Sequence, residues 1–249
     1  MKGNKLPKGL GIILLGWMFF LSLPVSAGLI DDMVLLDRDY IPALALTNQP
    51  DKPEMQVKEA FSRLEKAWEQ FQKSLSKADR ETPVLQTALK EAEKNIQEAK
   101  KMLARGKRHD AHEALEGLRT GFWKARSTMG IDYLPDHLTA FHDPMEGFYD
   151  KAVAIKQSGG DPSSLKPLLS HLSTLWSEVE KRNLDRRLFG FNEEKASNYE
   201  DMVKQEGKIL VQLSQLLASG NQEALVKTAG SLKGNFARLY LLFGNFSGL

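Results

Sequence analysis

The sequence predicts an all-α protein: an internally duplicated antiparallel helical bundle, built from two related three-to-four-helix units of up-and-down topology. Three observations lead there. Apolar residues recur every three or four positions along nearly every long segment, no long stretch alternates with period two, and one apolar stripe repeats elsewhere in the chain. Ala111, Leu115, Leu118, Phe122, Ala125 and Met129 step by 4, 3, 4, 3, 4, and a shift of 114 maps them onto Leu225, Ala229, Leu232, Phe236, Leu239 and Phe243. The preceding segment obeys the same shift, carrying Leu85, Leu89, Ala92, Ile96, Ala99 and Leu103 onto Tyr199, Val203, Glu206, Leu210, Leu213 and Leu217. Alternating steps of three and four put a narrow apolar seam on each helix, the pattern of near-parallel helices packed knobs into holes.

Residues 1–27 read as a signal peptide. Lys2, Lys5 and Lys8 precede an apolar run from Leu10 to Leu23, followed by Pro24 and the small-residue site Val25-Ser26-Ala27. That run is about 14 residues, whereas crossing a bilayer takes roughly 20. The expectation is therefore a cleaved, exported chain with no integral membrane span, destined for a bacterial periplasm. Cleavage removes three lysines and no acids, so 34 basic against 32 acidic residues becomes 31 against 32, a balance of −1. That balance gives nucleic acid and anionic lipid no support. The absence of cysteine excludes disulfides, thiolate chemistry and CxxCH haem attachment, and the remaining 222 residues (249 minus 27) can bury a core without staples.

The two units are placed at 28–131 and 132–249. Phe61, Leu64, Trp68, Phe71 and Leu75 form a stripe that Leu169, Leu172, Trp176 and Val179 reproduce at a shift of 108. Each repeat is expected to open at an echoed motif, Asp39-Tyr40-Ile41-Pro42 near residue 38 and Asp132-Tyr133-Leu134-Pro135. From motif to tryptophan is 29 residues in the first unit (39 to 68) and 44 in the second (132 to 176). The first opening segment therefore reads as truncated or irregular, interrupted by Pro50 and Pro53, and the second as a full helix. Gly106 and Gly220 sit where helices should end in the left-handed conformation. Asp110 with Glu113, Asn221, Thr82-Pro83 and Asp161-Pro162 are expected to restart them.

The densest set of potential ligands is the segment 132–149. It carries His137, His142, Asp132, Asp136, Asp143 and Glu146, where the first unit has no histidine or acid at Ala43 to Gln49. On an unbroken helix His142 and Glu146 share a face one turn apart, a spacing that can chelate a divalent transition metal, with His137 or Asp143 as further ligands. The competing reading takes Asp143-Pro144-Met145-Glu146 as a helix start with a capping acid. Against it, the apolar seam runs from Leu134 to Ile155 across Pro144, the pattern of one helix kinked at proline. His109, His112 and His171 read as surface residues.

Glu206 stands alone on an apolar seam, and reaching the bundle edge is its expected escape from burial. Arg186, Arg187, Phe189 and Phe191 form a basic, aromatic loop that either contacts a partner or folds its phenylalanines over the bundle end. Haem is disfavoured, because Met129 and Met145 lie on seams but no histidine does. No nucleophile-and-base motif, phosphate loop or HExxH suggests an enzyme. The expected function is a non-catalytic periplasmic binding or scaffolding protein for an unknown protein or small ligand. A metal-binding protein and a chaperone or adaptor are the alternatives.

Overall fold

The computed structural model describes residues 27–249, so all but the last residue of the expected signal segment lies outside the described residues. These residues form ten α-helices and one 3₁₀ turn, with no strand. No described helix is long and apolar enough to cross a membrane.

Helices α1 (Ala27–Thr47), α2 (Glu54–Ser74), the short α3 (Lys77–Glu81), α4 (Pro83–Ala104) and α5 (Arg108–Thr128) come first. Helix α1 packs on α2, α4 on α5, and α5 returns against α1. Helices α2 and α4 face each other through Lys100 on Glu65 at 2.7 Å and the Trp68 indole donating to Glu93 at 2.6 Å. The second group is α6 (Leu134–Ser158), α7 (Lys166–Glu180), the short α8 (Arg186–Phe189), α9 (Glu193–Ser219) and α10 (Gln222–Leu241). Here α6, α7, α9 and α10 close a ring of neighbours. The helices related by the 114-residue shift are hairpin partners in each group. Residues of both groups belong to one continuous apolar core running from Leu29 to Phe243.

Helix ends follow local chemistry. Gly106 and Gly220 adopt φ of 71°, and the Asn221 side chain accepts from the Ala224 amide at the start of α10. Asp161 likewise accepts from the Ser163 amide ahead of Pro162. Helix α5 starts three residues earlier than expected, with Lys107 rather than Asp110 at its cap position.

The echoed motif does not mark equivalent places. Tyr133 flanks the start of α6 and Pro135 lies in its first turn, but Tyr40 and Pro42 lie inside α1. The first unit therefore opens with a full 21-residue helix, because Leu29, Met33 and Leu36 extend the buried face of Tyr40 and Ala43 upstream at helical spacing. Pro42 has no N–H, so it leaves the Arg38 carbonyl without its helical partner. The Asn245 amide donates to that carbonyl at 2.8 Å. Arg63 of α2 binds Asp39 at 2.6 Å and the carbonyls of Asn245 and Ser247 at 2.9 and 3.1 Å. The chain's last residues thus clamp the second group onto the first.

Helix α6 runs unbroken through Pro144 for 25 residues. Asp143-Pro144 is therefore not a helix start, because the seam of Leu138, Phe141, Met145, Phe148 and Ala152 buries both sides of the proline in one stripe.

Candidate functional site

Where α1 and α5 meet α6 and α10, a cleft of about 180 Å³ opens between the two groups. Helix α5 contributes His112, Glu116 and Arg119, which share a face at steps of four and three. Helix α6 contributes His142, Met145 and Glu146, and α10 contributes Lys233, Phe236 and Tyr240. Helix α1 closes the wall with Ile41 and Leu44.

The polar groups form one chain across the cleft. His112 Nδ1 lies 2.9 Å from the Leu44 carbonyl and so carries the proton. Its Nε2 stands 3.6 Å from Glu116. Arg119 pairs closely with Glu116 and donates through the same Nη2 to His142 Nδ1 at 2.9 Å. Burial, then the neighbouring Arg119 charge, push the His142 pKa below its ordinary value. His142 Nε2 stands 3.8 Å from Glu146. Lys233 holds the other Glu146 oxygen at 2.6 Å. Two His-x-x-x-Glu pairs thus face one cleft, and the Arg119 guanidinium stands between them as their cation.

Of the expected metal ligands, His142 and Glu146 are brought together here. Asp143 lies 3.0 Å from His142 Nδ1 but is exposed. His137 belongs to another network, 2.7 Å from Asp132, which also receives Arg182 at 3.3 Å. Among the described residues no group of three or more His, Cys, Asp or Glu side chains is placed to hold a metal ion. His112, expected at the surface, is largely buried on the Leu44 carbonyl instead. His171 is exposed as expected.

A second polar seam lies two helical turns along α5. Arg126 binds Asp136 through Nε and Nη2 at 2.8 and 2.6 Å. Its guanidinium lies 4.4 Å from the Tyr133 ring centroid, and Nη1 reaches Met33 Sδ at 3.6 Å. The Tyr133 hydroxyl donates to Asp37 at 2.7 Å. Burial raises the Asp37 pKa to about 6.

Glu206 does not reach the bundle edge. It is fully buried, its Oε2 accepts from Asn235 Nδ2 at 2.7 Å, and its Oε1 has no partner. The Asn235 amide offers a compensating donor, so the carboxyl can stay inside, and burial raises its pKa to about 8. A Cβ on the neighbouring Gly207 would meet Glu180 Oε1 at 2.7 Å.

The loop residues divide. Phe189 and Phe191 are buried against each other, Phe243, Tyr133 and Tyr199. Arg186 pairs with Glu193 at 2.8 Å, and Arg187 is exposed. The phenylalanines therefore pack inward and only the arginines face solvent.

The sequence does not single out Arg119, Arg126, Asp37 or Asn235, and it offers Asp136 only as a potential ligand. A usable signal was present: Arg119 and Arg126 each follow a seam residue, Leu118 and Ala125, at a separation of seven, which puts both on the shoulder of the buried face. No protein-family model, curated protein or solved structure matches the chain.

Proposed function

We propose that this is an exported, non-catalytic binding protein made of two related halves, with its ligand site in the cleft where the halves meet. The observation that carries this reading is the position of the cleft. It is lined by helices of both groups and crossed by a polar chain from His112 to Lys233. Ligand sites favour such junctions between packed bodies and combine apolar walls with a few convergent polar groups.

The distribution of exposed apolar residues favours a small ligand over a chaperone's client. Leu35, Met55 and Val211, the large apolar residues most exposed among those described, sit on three different helices. Metal binding is the second reading, supported by the paired His142 and Glu146. Elemental analysis of chelator-free protein tests it: stoichiometric metal lost in His142→Ala would select it over the first.

The binding reading is tested by native mass spectrometry and thermal-shift screening of the mature chain against small molecules, beside Ala237→Trp. Ala237 is exposed on the rim of the cleft, so the substitution plugs the site without entering the core. A ligand that stabilises the native sequence and not the plugged variant supports the proposal. Stabilisation that survives the plug places the site elsewhere and overturns it.

A further inference from the structure

Resting on the cleft as the binding site, we infer that its ligand is a small organic carboxylate with an apolar body, received by the Arg119 guanidinium. Arg119 is 5% exposed. Of its five N–H donors, the two on Nη2 go to Glu116 and His142. The Nε donor is buried without a partner, and Nη1 bonds to no described residue. The Nε donor of a buried cation is therefore idle, in a protein where buried polar groups are ordinarily paired, and Nη1, which is not among the sealed unpartnered atoms, is the nitrogen left to meet a ligand. The second arginine on the same helix face shows what a finished site looks like, since its Nε, Nη1 and Nη2 all have partners.

A carboxylate fits this deficit. It can accept from Nη1, and charge assistance makes such a bond roughly twice as strong as a neutral one. The bidentate fork is closed to it, because both parallel-donor faces of a guanidinium use Nη2, whose hydrogens go to Glu116 and His142. The two carboxylates already present do not oppose it strongly. Glu116 is held by Arg119 with His112 beside it, and Glu146 is held by Lys233. A cationic ligand would instead be repelled by Arg119. The rest of the wall is mostly apolar, with Leu44, Met145 and Phe236 beside the polar Asn48 and Gln49. The volume of about 180 Å³ is comparable to the ~150 Å³ that accommodates benzene in an engineered apolar cavity. The body of the ligand is therefore a single ring or a short aliphatic chain.

Calorimetric titration of the mature chain with benzoate and hexanoate, beside benzamide, hexanamide and benzylamine, tests the inference. The carboxylates should bind, their amides about tenfold more weakly or worse, and the amine not at all. Arg119→Lys keeps the charge but withdraws the Nη1 donor, and should weaken benzoate by a similar factor, with circular dichroism to check its fold. Because benzoate and benzamide are compared on the native sequence, the conclusion does not depend on that variant folding. Amides binding as well as carboxylates, with Ala237→Trp blocking both, would overturn the carboxylate and leave the cleft standing. Carboxylate binding that survives Ala237→Trp would overturn the cleft itself. Failure of both carboxylates to bind would also sink the inference.

Discussion

Two arginines seven residues apart on α5 stand in opposite conditions. Every nitrogen of Arg126 has a partner: Asp136 takes two, Met33 sulfur takes the third, and Tyr133 lies under its face. Arg119, about 10 Å along the helix at the usual rise, has one nitrogen engaged and two that bond to no described residue, beside an open cleft. Both are 4–5% exposed, so burial does not distinguish them. Satisfaction does. A closed network rigidifies the junction between the helical groups, whereas the incomplete one leaves the donor on which the proposed ligand site rests.

Breaking the finished network should have the largest effect. Arg126→Met leaves Asp136 buried and uncompensated, and chemical denaturation should register a loss of about 3–5 kcal/mol. Arg119→Met should cost distinctly less, about 1–2 kcal/mol, because Glu116 keeps His112 beside it. Equal losses would erase the contrast between the two sites.

Glu206 sharpens the comparison from the second half, where a buried carboxylate has one oxygen paired and one not. Its pKa rises from 4.5 to about 8 in the folded state, so between those values the native protein binds more protons than the unfolded chain. Stability should then fall as pH rises through that window, with a slope approaching about 1.4 kcal/mol per unit. Glu206→Gln should flatten this part of the profile and gain relative to the native sequence most above pH 8. A pH series of denaturation midpoints in which the two proteins run parallel would refute the assignment.

The smallest effect is expected at Asp143. As a helix cap it would be worth about 1 kcal/mol, but it lies on the exposed face inside α6. Asp143→Ala should therefore shift stability by less than about 0.5 kcal/mol.

The legible part of the fold was the part with a period. The seams of α2, α4, α5, α7, α9 and α10 can be read directly, because apolar residues at steps of three and four have to share a face and be buried. The opening of the first half was misplaced because Asp39-Tyr40-Ile41-Pro42 resembles a helix start in sequence. In place, the buried residues before it extend the same face upstream, and the C-terminal segment receives the carbonyl that Pro42 frees. The same limit hid the site. His142 with Glu146 was visible as a spacing within one helix, but Arg119, Glu116 and Lys233 reach them from two other helices.

The sequence by itself determined the helices, their seams and most of the glycine and proline punctuation, since each depends on neighbours within a turn or two of chain. Tertiary structure decided which polar residues meet. It brought Arg119 to His142 across 23 residues and Lys233 to Glu146 across 87, and it turned Phe189 and Phe191 inward. The physical reason is that burial follows from period, whereas hydrogen-bond satisfaction depends on partners from other helices, and it is the unsatisfied arginine that points to function.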